Sequence, residues 1–134
     1  MTEPTMDEFL GQFRPRVREL TLQTHQLILD SIQDIQVFVD SPSRIIAYGF
    51  GRRYSDLIFS IAPYTAYLNV IFARGTELPD PDLLLLGSGK HPRHVRIKAA
   101  EDIRRPGLVV LLKAARTMAI DPPKTFTISQ KGKF

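Results

Sequence analysis

The sequence predicts a single α+β domain of two layers: a mostly antiparallel sheet of about five strands, with N- and C-terminal helices packed on one face. Apolar residues recur at three- and four-residue steps towards both ends of the chain. Between those stretches they recur at every second residue, and the connections are short enough for hairpins. The chain has 134 residues, 43% hydrophobic and 24% charged, which suits one core without metal or disulfide staples.

Each element follows from its local pattern. Residues 6–13 read as a short helical turn, interrupted at Arg14-Pro15, where proline can begin a new helix. From Pro15 to about Asp34, the residues Val17, Leu20, Thr24, Leu27, Ile28 and Ser31 form one stripe of an amphipathic helix. The period then changes to two. Ile35, Val37 and Val39 alternate with Gln36, Phe38 and Asp40, and Asp40-Ser41-Pro42-Ser43 makes a turn. Residues 44–50 are the second strand, with Ile46, Tyr48 and Phe50 on one face. Leu57, Phe59 and Ile61 mark a third strand, residues 62–65 a turn, and Leu68, Val70 and Phe72 a fourth. Residues 77–82 form a stiff acidic connector, and residues 83–86 read as a helical turn. Residues 95–98 are the fifth strand. Glu101 and Asp102 open a closing helix that runs to about Ala119, with Leu108, Leu111, Leu112 and Ala115 facing inward. The domain is expected to span residues 1–120, followed by a polar, basic tail over 121–134.

Composition bounds the function. There is no cysteine, which removes disulfides, thiolate ligands and thiol nucleophiles and fits a reducing compartment. The opening MTEPTMDEFL has acids where a signal peptide needs positive charge. No apolar run approaches the ~18 residues of a membrane span. A cytoplasmic protein is expected. Lys and Arg number 18 against 14 Asp and Glu, a net charge of +4. Segment 87–98 holds Lys90, Arg93, Arg96 and Lys98 with no acid, so it accounts for the whole excess.

Several runs stand out together: Ser-Asp-Leu-Ile-Phe-Ser-Ile-Ala at 55–62, Leu-Asn-Val-Ile-Phe at 68–72, and Gly75 with Glu-Leu-Pro-Asp-Pro at 77–81. Leu86-Gly87-Ser88-Gly89-Lys90, Arg93-His94-Val95-Arg96-Ile97 and Glu101-Asp102-Ile103 with Pro106 continue them. These runs resemble the YdhG-like family, a bacterial family catalogued as domain of unknown function 1801. The resemblance runs from about Val39 to Ala119 and implies a compact α+β domain of frataxin-like appearance. Some members are described as iron chaperones, but the family has no catalytic set to carry over. Iron binding of the frataxin type uses clustered carboxylates on the first helix. Here that helix begins with Arg14, Arg16 and Arg18, with only Glu19, Asp30 and Asp34 as acids, so the chain departs from the pattern.

The Gly87-Ser88-Gly89-Lys90 loop invites an anion, since successive backbone N–H groups and a lysine can cradle one. The full phosphate-loop motif fails, because Leu84 and His91 stand where it needs glycine and Ser/Thr. Gly49-Phe50-Gly51 lacks the third glycine of a dinucleotide fingerprint, Tyr54 standing there. Both glycine pairs are expected to be turn residues with positive φ. A metal would draw on Asp80, Asp82, His91 and His94, against the repulsion of Arg93 and Arg96. For Arg93, Arg96 and Lys98 themselves the preferred reading is structural: the arginines pair with Asp80, Asp82, Glu101 and Asp102 and pin the long loop to the domain. Ser60 and Ser88 have no nucleophile-elbow motif around them, so no catalytic residue is assigned. The tyrosines fall mostly at core positions, so nucleic acid is not the expected partner, and His25 is expected to be structural.

The expected function is therefore a small, non-enzymatic, cofactor-free cytoplasmic binding protein. It recognises an anionic small molecule or an acidic partner surface through Gly87, Ser88, Gly89, Lys90, Arg93 and Arg96. Iron or metal handling is one alternative. The other is a structural module acting through a homodimer or partner interface.

Overall fold

The computed structural model describes residues 4–119; the tail expected over 121–134 lies outside them. Thr5 opens α1 (Met6–Leu10) with a reciprocal cap. Its hydroxyl accepts from the Glu8 amide at 3.1 Å, and the Glu8 carboxylate accepts from the Thr5 amide at 2.8 Å. Pro15 begins α2 (Pro15–Ser31), where a missing N–H costs nothing because first-turn amides have no intrahelical partner. Its buried stripe is Val17, Leu20, Thr21, Thr24 and Ile28.

The sheet runs β1 (Gln36–Asp40), β2 (Ile45–Gly49), β3 (Leu57–Pro63), β4 (Leu68–Phe72) and β5 (Arg93–Ile97). Its spatial order is the chain order and every pair is antiparallel. The chain is thus a single α+β domain, in which short links join β1 to β4 and a longer excursion over residues 73–92 precedes β5. Register aligns Val39, Ile46, Ile61, Val70 and Val95 in one row, and Val37, Tyr48, Phe59, Phe72 and Arg93 in the next. Ile46, Tyr48, Ile61, Val70 and Phe72 have no exposed surface. Between these rows, on the opposite pleat, lie Phe38, Ala47, Ser60, Ile71 and His94, of which all but Ala47 keep partial exposure. Helix α2 touches β3 and β4, and the last helix touches α2 and β3.

Where the pattern was ambiguous, the structure departs from expectation. Residues 83–86 are not a helical turn. Leu83 takes a left-handed φ of 57°, and Leu86 pairs with His94 as an isolated bridge on the outer side of β5. The closing helix is two pieces, α3 (Ala100–Ile103) and α4 (Pro106–Met118), because the residue before Pro106 is driven to extended backbone. Strand β2 ends at Gly49, so Phe50 lies beyond the ladder that holds Ile46 and Tyr48. Of the four glycines read as positive-φ residues, only Gly87 is one, at 119°. Gly49 instead permits close approach: a Cβ there would sit 2.8 Å from the Leu57 Cα.

A polar pair reaches into the core from its border. The Tyr48 hydroxyl is 2.7 Å from His25 Nδ1, joining α2 to the middle of the sheet. Burial pushes the Tyr48 phenol far above its usual range, so it stays protonated and donates to the ring nitrogen. Burial also holds the His25 imidazole below its ordinary value of 6.5, so His25 is the neutral acceptor. A folded pKa below the unfolded one means that protons favour the unfolded chain. This contribution to stability is present above about pH 6.5 and is lost as pH falls through the lower folded value. Urea midpoints taken from about pH 7.5 down to about pH 5 should decline, and decline less in His25→Gln. Equal slopes in the two proteins would remove His25 as the cause.

Candidate functional site

The basic segment emerges from the edge of the sheet as a closed loop. Leu86 and His94 exchange backbone hydrogen bonds of 2.7 and 2.9 Å, and residues 87–93 project between them. Gly87 supplies the left-handed turn that starts the excursion. Arg93 fixes the far side: its Nη1 donates to the carbonyls of Gly89 and Pro92. The loop is also tied sideways, since the Thr76 amide donates to the His91 carbonyl at 3.0 Å. Thr76 belongs to a 3₁₀ turn, Gly75–Glu77, that follows β4. Gly75 is required there because a Cβ would stand 2.6 Å from the Arg93 backbone nitrogen.

The expected site residues divide by role. Gly87, Ser88, Gly89, Lys90 and His91 are exposed. Among the described residues Lys90 has no ion-pair partner and the amides of Gly87, Ser88 and Gly89 make no hydrogen bond. Arg93 belongs to the same loop but braces it from within. Arg96 stands apart. It alternates to the opposite pleat, with its guanidinium 4.1 Å over the Tyr67 ring and its Nε donating to Asn69 Oδ1 at 3.2 Å.

Among the described residues no ion pair joins the flanking carboxylates to Arg93 or Arg96, so the ion-pair reading of the loop is not borne out. Asp80 accepts the amides of Leu84 and Leu85, each at 2.9 Å, which stiffens the connector. Asp102 accepts the amides of Lys98 and Ala99 at 2.8 and 3.1 Å and pairs with Arg105 at 3.1 Å. The metal reading of Asp80, Asp82, His91 and His94 gains no support from the clustering of side chains. No three His, Asp or Glu side chains among the described residues lie close enough to hold a metal ion. His94 is held below its ordinary value by burial and then by the Arg96 charge, which keeps the ring neutral. Ser88 makes no hydrogen bond with His91 or His94 among the described contacts, so nothing activates its hydroxyl.

A second feature was not expected from the sequence. A cleft of about 160 Å³ opens where the ends of β2, β3 and β4 meet the last turn of α4. Phe50, Leu57, Ile58, Phe72, Leu78 and Met118 give it an apolar lining, and Ser55, Asp56 and Arg74 contribute polar groups. The Arg74 guanidinium meets the Glu77 carboxylate through Nε at 3.0 Å and Nη2 at 2.6 Å. That hydrogen bond holds Glu77 below the usual carboxylate range and Arg74 above its own. The lining comes from separate stretches of chain, each unremarkable in its own window. The one available signal was Phe50, an aromatic directly after a strand-ending glycine.

Comparison with protein-family models, curated proteins and solved structures finds no match to this chain.

Gly75 is the joint between these features, lying between Arg74 of the cleft and Thr76 of the loop tie. In Gly75→Ala the added methyl meets the Arg93 Cβ and backbone, atoms fixed by β5 and not the movable end of a side chain, so a loss of about 1–3 kcal/mol is expected by urea denaturation. A change below about 0.5 kcal/mol would mean that the 3₁₀ turn shifts freely off β5.

Proposed function

We propose that the chain is a non-enzymatic binding protein that recognises an acidic surface on a partner through the loop at 87–90. The observation that carries this reading is the division of labour within the loop. Arg93 holds its shape from within, while Lys90 and the neighbouring amides belong to exposed residues and have no partner among the described residues. A braced loop presents its charge with less ordering cost than a floppy one. Its residues are exposed from Gly87 to Pro92, which suits contact with a surface better than enclosure of a small ligand. A cytoplasmic location is part of the proposal and fits the lack of cysteine. No helix among the described residues is long and apolar enough to cross a membrane. The resemblance to the YdhG-like family fits this reading, though it supplies no ligand.

The test is binding to immobilised poly-glutamate, with inorganic phosphate as a competitor, across a salt series. Binding should weaken steeply as salt rises and fall about ten-fold in Lys90→Ala. Arg96→Ala should bind normally while melting lower, since its guanidinium serves Tyr67 and Asn69. Unchanged binding in Lys90→Ala would sink the proposal. Displacement by millimolar phosphate would move the ligand class to small anions.

A further inference from the structure

The cleft beside α4 has its own chemistry, independent of the basic loop. Its volume of about 160 Å³ is below the ~300–1,000 Å³ of sites for drug-sized ligands, so it limits an occupant to a molecule of a few heavy atoms beyond a polar head. The apolar lining selects a branched or thioether side chain. Two charged groups of opposite sign belong to the same lining. Asp56 has a side chain only 20% exposed, and its cation is Arg53, 80% exposed, at 3.5 Å from Oδ2. Its Oδ1 has no partner among the described residues. Arg74 engages Glu77 through Nε and Nη2, which leaves Nη1 without a partner among the described residues. An acceptor and a donor thus belong to residues that line one small apolar cavity.

We propose that this cleft binds a free amino acid with an apolar side chain. The side chain lies against Leu57, Phe72 and Met118, the ammonium group donates to Asp56, and the carboxylate accepts from Arg74 Nη1. A lone amine would leave the guanidinium donors idle, and a fatty carboxylate would place its charge near Asp56 without compensation. A zwitterion satisfies both groups at once. The Glu77 carboxylate does not compete for the ligand, because it holds Arg74 by its other nitrogens and keeps the fork oriented.

Calorimetry with L-leucine, 3-methylbutylamine and 4-methylpentanoate tests the two head groups separately. Leucine should bind, and loss of either charged group should weaken binding at least about ten-fold. Asp56→Asn and Arg74→Gln should each lose a similar factor, and Met118→Trp should block the cavity. Amide NMR shifts on adding leucine should cluster at residues 50, 55–58, 72–74 and 115–119. Lys90→Ala should bind leucine normally, which separates this proposal from the role given to the loop. Equal affinity for leucine and 3-methylbutylamine would overturn the zwitterion assignment. No heat or shift change up to about 10 mM leucine would overturn the site altogether.

Discussion

The contact on which both surface features depend is the passage of Gly75 across the backbone of Arg93. The chain leaves β4 at Phe72 and must return to lay β5 against that same strand, so it crosses the end of its own sheet. Only a residue without a side chain can pass within 2.6 Å, measured from a would-be Cβ, of the Arg93 nitrogen. The crossing places Thr76 where it holds the His91 carbonyl and leaves Arg74 against the cleft. The loop and the cavity thus lie on two sides of one tight turn.

Behind that turn, the sheet supplies rigidity. A meander in which every strand pairs with its sequence neighbour keeps contacts local and register well defined. Two rows of buried residues cross it, and the Tyr48–His25 bond ties the second row to α2. A polar pair at that depth is tolerated because each partner satisfies the other. It also confers sensitivity to acid, since a proton on His25 would remove the acceptor that Tyr48 uses.

The sheet and the helix stripes were legible because periodicity reports burial directly. Ile46, Tyr48, Phe59, Ile61, Leu68, Val70 and Phe72 all lie in the core that their alternation implied. So do Leu108, Leu111, Leu112 and Ala115 on the last helix. What failed was local geometry without a period. Leu83 to Leu86 carry no polar residue to reveal a phase, and their path is set by Asp80 accepting two amides and by pairing with His94. Gly49 and Gly51 looked like turn residues, whereas Gly49 answers to a close backbone approach that no window around it contains. The loop's exposure was legible from its composition. The separation of Arg93 from Arg96 was not, because it depends on where β5 begins.

The distribution of cations refines what a net charge of +4 means for recognition. Arginines are largely committed to the fold: Arg16 to the Lys98 carbonyl, Arg44 over Phe13, Arg93 to loop carbonyls and Arg96 over Tyr67. Arg105 meets Asp102, and Arg116 meets Asp34 while lying over Phe50. A planar guanidinium suits such bracing, since it can stack and donate in several directions at once. Lys90, Lys98 and Lys113 are exposed instead. An ammonium on a flexible stem, strongly hydrated, gives up little when it meets a carboxylate and is readily screened. A surface built this way favours fast, reversible, salt-sensitive contacts over tight ones. Under the two proposals above, the loop would make such contacts with a partner surface, whereas a ligand of the cleft would draw its affinity from apolar burial.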